Sequence, residues 1–195
     1  MQLAASRMST LIRDLLSFSR ISTHQNATVA VALGTVIDNV LSDLELVIKQ
    51  TNARIDVGSL PTVPGDPSQL GQLFQNLLSN ALKFGQRDPS GALLPPTIDV
   101  RASIIGVVDL PAGLRPTRQA SAYHRINVAD NGIGFDEKYL DRIFQVIQRL
   151  HGKNEYTGTG IGLAICEKVV ANHGGVITAS SQPGQGATFS VYLPL

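Results

Sequence analysis

The sequence predicts an α/β domain preceded by a separate helix, and three observations carry that prediction. Apolar and polar residues alternate through Ile98, Val100, Ala102 and Ile104, then Ile126 and Val128, then Phe189, Val191 and Leu193, which is the period of half-buried strands. Leu70, Leu73, Phe74, Leu77, Leu78, Ala81 and Leu82 fall on one broad helical face suited to packing on a sheet. A narrower stripe near the start calls for a partner helix instead. With 195 residues and 43% hydrophobic content, the chain can bury the core of one or two domains.

The elements follow in order. Ala4, Met8, Leu11, Leu15 and Phe18 are spaced alternately four and three, with Ile12 and Leu16 widening the stripe. This helix opens without a capping residue, as a longer helical element would if cut. The polar, aperiodic stretch from Ser22 to Thr28 reads as a linker. The predicted organisation is therefore a helix over 1–22, a linker over 23–28 and a domain over 29–195. Val29 to Ala32 suits a short strand. Val36, Val40, Leu41, Leu44 and Val47 or Ile48 mark one amphipathic helix, and Ala53 to Val57 a strand. Asp66 and Pro67 are an N-cap acceptor and a first-turn proline, opening a helix that runs to about Phe84. Gly106 to Ala122, rich in Pro, Ala and Arg, reads as a surface insertion. A last helix runs from about Gly160 to Asn172 and stops at Gly174 and Gly175.

Charge and composition exclude several partners. Sixteen basic and fifteen acidic residues leave +1, with no basic run, so neither a nucleic-acid footprint nor an anionic-membrane patch is present. No apolar run approaches the roughly 20 residues of a membrane span, and the start lacks a signal peptide's apolar core, so the chain reads as cytoplasmic. Cys166 stands alone in an apolar helical stretch, as a packed core thiol would.

Three segments carry candidate chemistry. On the Asp66 helix, Asn76, Asn80 and Lys83 fall within an arc of about 60° beside the apolar face. Two carboxamide oxygens and an ammonium suit magnesium and the phosphates it bridges, although the same residues also make an ordinary solvated face. In DNGIGF, Asp130 leaves a strand end where it can accept a hydrogen bond from an exocyclic amine, with Gly132 and Gly134 letting the chain pass close under a base. A plain tight turn explains that motif equally well. In GTGIGLAI, Gly158, Thr159, Gly160 and Gly162 precede a helix whose N-terminus offers amides to phosphate. Residues 152–157 just before it are polar and suit a mobile lid. The motif is neither a Walker loop nor a dinucleotide fingerprint.

Together QNLLSNALKF, DNGIGF, GTGIGLAI and the closing GQGATF resemble, in order and spacing, the ATP-binding domain shared by histidine kinases, gyrase, the Hsp90 chaperone and MutL. The resemblance covers roughly residues 29–195 and is nearest to phytochrome-type sensor histidine kinases, with SRMSTLIRDLLSFSRI similar to the second helix of their dimerisation hairpin. It implies a two-layer α/β sandwich, a mixed sheet with helices on one face. It also implies that Asn80 holds magnesium with help from Asn76, that Lys83 touches phosphate and that Phe84 stacks near the base. Asp130 would bind the adenine amine over Gly132 and Gly134, with Thr188 joining through water. Gly158, Thr159, Gly160, Gly162 and Leu163 would face the phosphates, with Arg149 a further contact. The cofactors implied are ATP and Mg²⁺. The partners implied are a response-regulator receiver domain, the protein's own upstream hairpin helix and sensor domain, and a second copy in a homodimer.

Two departures stand out. Ile147 occupies the place of a second aromatic after Phe144. None of His24, His124, His151 or His173 is followed by an acidic residue on a hairpin helix, so the phosphoacceptor is absent and no catalytic residue is assigned. His173 reads as a helix-end cap, His151 as packing beside the lid, and His24 and His124 as surface residues. Gyrase-like ATPases carry a water-activating Glu where this chain has Asn76, and a pure interaction module is the remaining alternative.

Overall fold

A computed structural model describes residues 28–88, 90–146 and 159–195, with helical positions 12, 15, 16, 18, 19 and 21. Ordered along the chain are β1 (Val29–Ala32), α1 (Leu33–Asp43), α2 (Glu45–Thr51), β2 (Arg54–Val57), β3 (Thr62–Gly65), α3 (Pro67–Lys83), β4 (Thr97–Gly106), β5 (Ala122–Asp130), α4 (Leu140–Ile143), α5 (Gly162–Asn172), β6 (Val176–Ser181) and β7 (Ala187–Pro194). The main sheet has the order β2-β4-β5-β7-β6, and β1 pairs with β3 in a separate antiparallel ribbon. Within the main sheet β2 runs parallel to β4 and the other neighbours are antiparallel. It is a mixed sheet with helices on one face, as the sequence implies.

One core joins the two layers. Ile98, Val100, Ile126, Val128, Phe189 and Val191 face Leu70, Leu73, Phe74, Leu77, Ile165 and Val169, all in a single buried cluster. The strands alternate because only one sheet face is covered. α3 starts where Asp66 accepts the amides of Ser68 and Gln69, with Pro67 in the first turn. α3 and α5 lie antiparallel: Gln69 bonds Asn172, the Cys166 thiol sits 3.7 Å from the Leu73 carbonyl, and Asn76 lies beside Gly162. Cys166 is the packed core thiol expected, fully buried and free of any disulfide.

Several boundaries differ from the sequence reading. The single helix expected around Val36 to Ile48 is two, broken at Leu44, whose backbone turns to φ −93°, ψ 1° while its side chain stays in the core. β3 and β6 were not legible as strands. The insertion spans residues 107–121 and is strapped down: the Thr117 hydroxyl donates to the Ala171 carbonyl at 2.7 Å and the Arg118 amide to the Gly174 carbonyl at 2.9 Å. Tyr123 lies buried beneath it, its hydroxyl accepting the Ala120 amide at 2.9 Å. His124 is a half-buried strand residue rather than a surface one, and burial pushes its pKa down. No helix among the described residues is long and apolar enough to cross a membrane.

Candidate functional site

The site forms where the C-terminal half of α3, the turn after β5, the β6–β7 turn and the start of α5 converge. Asp130 ends β5 on the face that carries the helices, because Val128 and Ile126, two and four residues back, are core residues. Burial raises its carboxyl pKa, opposed by the amides of Gly132 and Ala187. Its Oδ1 accepts the Gly132 amide at 2.7 Å. A carboxylate has about four acceptor positions, so two amides leave capacity for a ligand donor. Desolvation makes each such bond stronger.

Glycines make the floor under this carboxyl by necessity of space. A Cβ on Gly132 would lie 2.7 Å from Asp130 Oδ1 and would overlap the Phe84 carbonyl. Gly186, at φ +82°, presses so close to the Asp130 backbone that a Cβ would overlap its carbonyl oxygen. The turn is stitched in place: Ile133 donates its amide to the Phe84 carbonyl at 2.9 Å, and Gly184 donates to the Ile133 carbonyl at 2.7 Å. The end of α3 and the β6–β7 turn therefore fix the DNGIGF segment from both sides.

On α3, the Asn76 side-chain NH₂ donates to the Gln72 carbonyl at 2.9 Å, which directs Oδ1 toward the start of α5. A Cβ on Gly162 would meet that oxygen at 3.0 Å. Asn80, one turn further on, is half-exposed on the same side. Lys83 Nζ lies 4.2 Å from the centroid of the Phe84 ring, a cation–π distance at the C-terminal end of α3. Gly160 adopts φ +76° ahead of α5, whose N-cap Ile161 and apolar residues Ala164 and Ile165 anchor it to the core while Leu163 is partly buried. The α5 amides of the first turn lack intrahelical partners by geometry, as at any helix N-terminus.

The contacts join the expected residues in two groups: Asn76 lies beside Gly162, while Phe84, Asp130, Gly132 and Gly134 meet around the turn after β5, with Lys83 over the Phe84 ring. Thr188 does not join them. Asp130 pairs with Ala187, and Thr188 with Ala129. One residue along a strand reverses the face, so Ala187 shares the Asp130 side and Thr188 projects from the other. Gly158, Arg149, His151, His24, Ile147 and the suggested lid over 152–157 lie outside the described residues.

Two positions escaped the sequence reading. Gln86 Nε2 donates to the Gly132 carbonyl at 2.8 Å and to the Gly184 carbonyl at 2.9 Å, clamping both turns. Ser181 accepts the Phe135 amide at 2.9 Å and donates to the Gly186 carbonyl at 2.7 Å. Neither carries a local signal, since each acts on backbone far away in sequence.

Among the described residues no three His, Cys, Asp or Glu side chains gather to hold a metal. Asn76 and Asn80 carry carboxamide oxygens, hard ligands of the kind Mg²⁺ accepts when phosphates and waters complete its shell. The donor set fits a nucleotide-bound ion.

Residues 65–195 match the family model described as histidine kinase-, DNA gyrase B-, and HSP90-like ATPase. The chain is 38% identical over 191 residues to the phytochrome-like protein Cph1 of Synechocystis sp., covering 97% of this chain and 23% of that protein. It is 39% identical over 190 residues to cyanobacterial phytochrome A of Nostoc sp., covering 97% of this chain and 22% of that one. The chain spans about a quarter of the length of these curated relatives. Among solved structures, the mycobacterial sensor histidine kinase MprB superposes with a TM-score of 0.65 at 24% identity, covering 86% of this chain and 97% of that one. Full-length ShkA in complex with AMPPNP superposes with a TM-score of 0.70 at 24% identity, covering 94% and 35%. At that identity the likeness establishes the fold.

Proposed function

The chain belongs to the histidine kinase-, DNA gyrase B- and HSP90-like ATPase family, and from that premise we propose that it is the ATP-binding catalytic part of a two-component sensor histidine kinase. The intact protein transfers the γ-phosphoryl of ATP to a histidine on its dimerisation hairpin, for relay to an aspartate of a response regulator. The observation that carries this reading is the desolvated Asp130 carboxyl, which accepts the Gly132 amide at 2.7 Å over a floor of Gly132 and Gly186.

In this reading Asp130 accepts the adenine amine and Gly132 and Gly134 keep backbone from filling the base's place. Asn80 and Asn76 hold Mg²⁺ through their oxygens, and Mg²⁺ supplies charge neutralisation between neighbouring phosphates. Lys83 and the α5 amides, with Gly158, Thr159, Gly160, Gly162 and Leu163, orient the terminal phosphate, and Arg149 adds a contact. These residues position and stabilise charge; the nucleophile comes from the hairpin. Exposed Ile12, Leu15 and Leu16 support a hairpin helix that pairs in a homodimer.

A gyrase-like ATPase is disfavoured by one observation. Asn76 stands where water activation needs a base, and its NH₂ is engaged with the Gln72 carbonyl. Calorimetry of ATP with and without Mg²⁺ tests the proposal: ATP binds, and Asn80→Ala abolishes the Mg²⁺-dependent part of the affinity. ATP binding that ignores Mg²⁺ would remove Asn80 from its role. Steady ADP production by this chain, lost in Asn76→Ala, would favour the ATPase reading instead.

A further inference from the structure

At the end of α5 farthest from Gly162, side chains reach across to the N-terminal helix. Asn172 Nδ2 donates to the Ile21 carbonyl at 2.9 Å and to Gln69 Oε1 at 3.1 Å. Gln69 Nε2 in turn donates to Asp66 Oδ2, the N-cap carboxylate of α3, at 3.4 Å. Next along the chain, His173 accepts the Asp66 amide on Nε2 at 3.0 Å and donates from Nδ1 to the Val169 carbonyl at 2.7 Å. The Ile21 side chain is 7% exposed within the main core, and Phe18 packs against that core.

Burial of Ile21 alone has no preferred direction. A hydrogen bond from a fixed side chain to one backbone carbonyl does, because it demands one distance and one angle. The Ile21 oxygen takes a donor from another element, the Asn172 side chain at the end of α5. The reading element is rigid: the α3/α5 pair carries Gln69 and Asn172 at one end and Asn76 and Gly162 at the other, about 10 Å apart along α3.

We propose that Asn172 is a docking latch, a positioning residue that holds the N-terminal helix at Ile21 against the α3/α5 pair and so sets how the Asn76–Gly162 end is oriented relative to that helix. The partner is the chain's own helix. The latch rests on these contacts and not on the identity of the nucleotide, so either proposal can fail without the other.

Limited trypsin digestion reads the latch directly, because the Arg20–Ile21 bond can be cut only while Ile21 is undocked. Cleavage then tracks the open population. Asn172→Ala and the isosteric Asn172→Asp, which keeps volume but removes the donor, should each speed cutting at that bond about fivefold, the effect of losing one ordinary hydrogen bond. Ile21→Ala should also speed it, and the Ile21→Ala/Asn172→Asp pair should accelerate cutting by less than the product of the two single effects. ATP affinity by calorimetry should stay within about twofold. Unchanged cutting in either Asn172 variant that still melts cooperatively would overturn the proposal, as would independent, multiplicative effects in the double variant.

Discussion

Asparagine in place of Asp130 should pull ligand affinity and fold stability in opposite directions. Oδ1 accepts the Gly132 amide at 2.7 Å, and an asparagine oxygen, with two acceptor positions, can take both that amide and the Ala187 amide, so the glycine floor survives the change. The second carboxylate oxygen becomes an NH₂ donor and meets the adenine amine, which is also a donor. Loss of a hydrogen bond to a charged group costs about 1.5–3 kcal/mol, or roughly 10- to 150-fold in Kd for ATP. Stability moves the other way. Burial raises the Asp130 pKa in the fold, so the stability linked to this group is fully present below the unfolded carboxyl pKa and is lost as pH rises through the folded value. At pH above the raised folded value the ionised carboxylate therefore weighs against the ligand-free fold, and neutral asparagine relieves it. Calorimetry with ATP and GTP, with thermal melts of the ligand-free chain, reads both effects. The expected outcome is a weaker Kd for ATP, a smaller preference for ATP over GTP because the new donor suits the guanine oxygen, and a higher Tm. ATP affinity within about twofold of the parent, or a Tm that falls, would refute the reasoning.

Three further outcomes follow from the same structure. ATP affinity should decline as pH is lowered toward the raised Asp130 pKa, because a protonated carboxyl offers the adenine amine a poorer acceptor; titration calorimetry at stepped pH reads it, and a flat profile would place adenine elsewhere. Gly186→Ala combines φ +82° with an overlap on the Asp130 carbonyl and should cost about 2–5 kcal/mol in denaturant melts. Cys166 is fully buried, and burial pushes its thiol pKa far up, so thiol reagents should label it only at the rate of unfolding; fast labelling of the folded chain would contradict the packing.

Much of the domain was legible because local and tertiary signals agree. Asp66 and Pro67 mark the start of α3 as a capping residue and a first-turn proline should, and the helix ends with Phe84 as its C-cap. Alternation found β4, β5 and β7. β3 was hidden because Pro64 and Gly65 read as turn residues, whereas in a two-stranded ribbon Pro64 sits opposite Ala30 without needing to donate inward. β6 was hidden by small side chains, since Ala179 and Ser181 alternate weakly with Thr178 and Ser180. For the site, spacing and motif singled out helix and turn residues, among which Asn76 lies beside Gly162 and Asp130 over Gly132. Thr188 was misplaced because one residue of register decides the face, and register depends on a partner strand. Gln86 was invisible because its two acceptors are backbone carbonyls of Gly132 and Gly184. Ile21 read as belonging to the hairpin alone, yet its side chain completes the catalytic domain's core.

The place of β7 in the sheet bears on how the protein is made. It lies between β5 and β6, and six of its eight residues are buried. Residues 187–194 thus fill an interior slot of a sheet whose other strands are all translated first. Until they leave the ribosome, β5 and β6 each present an open edge, and the helices have only part of their apolar bed. A nascent chain at that stage exposes unpaired strands beside a half-covered core, the condition that favours aggregation. The domain must therefore complete its fold after residue 194 emerges, and truncations that spare every nucleotide-facing residue but remove β7 should yield insoluble protein.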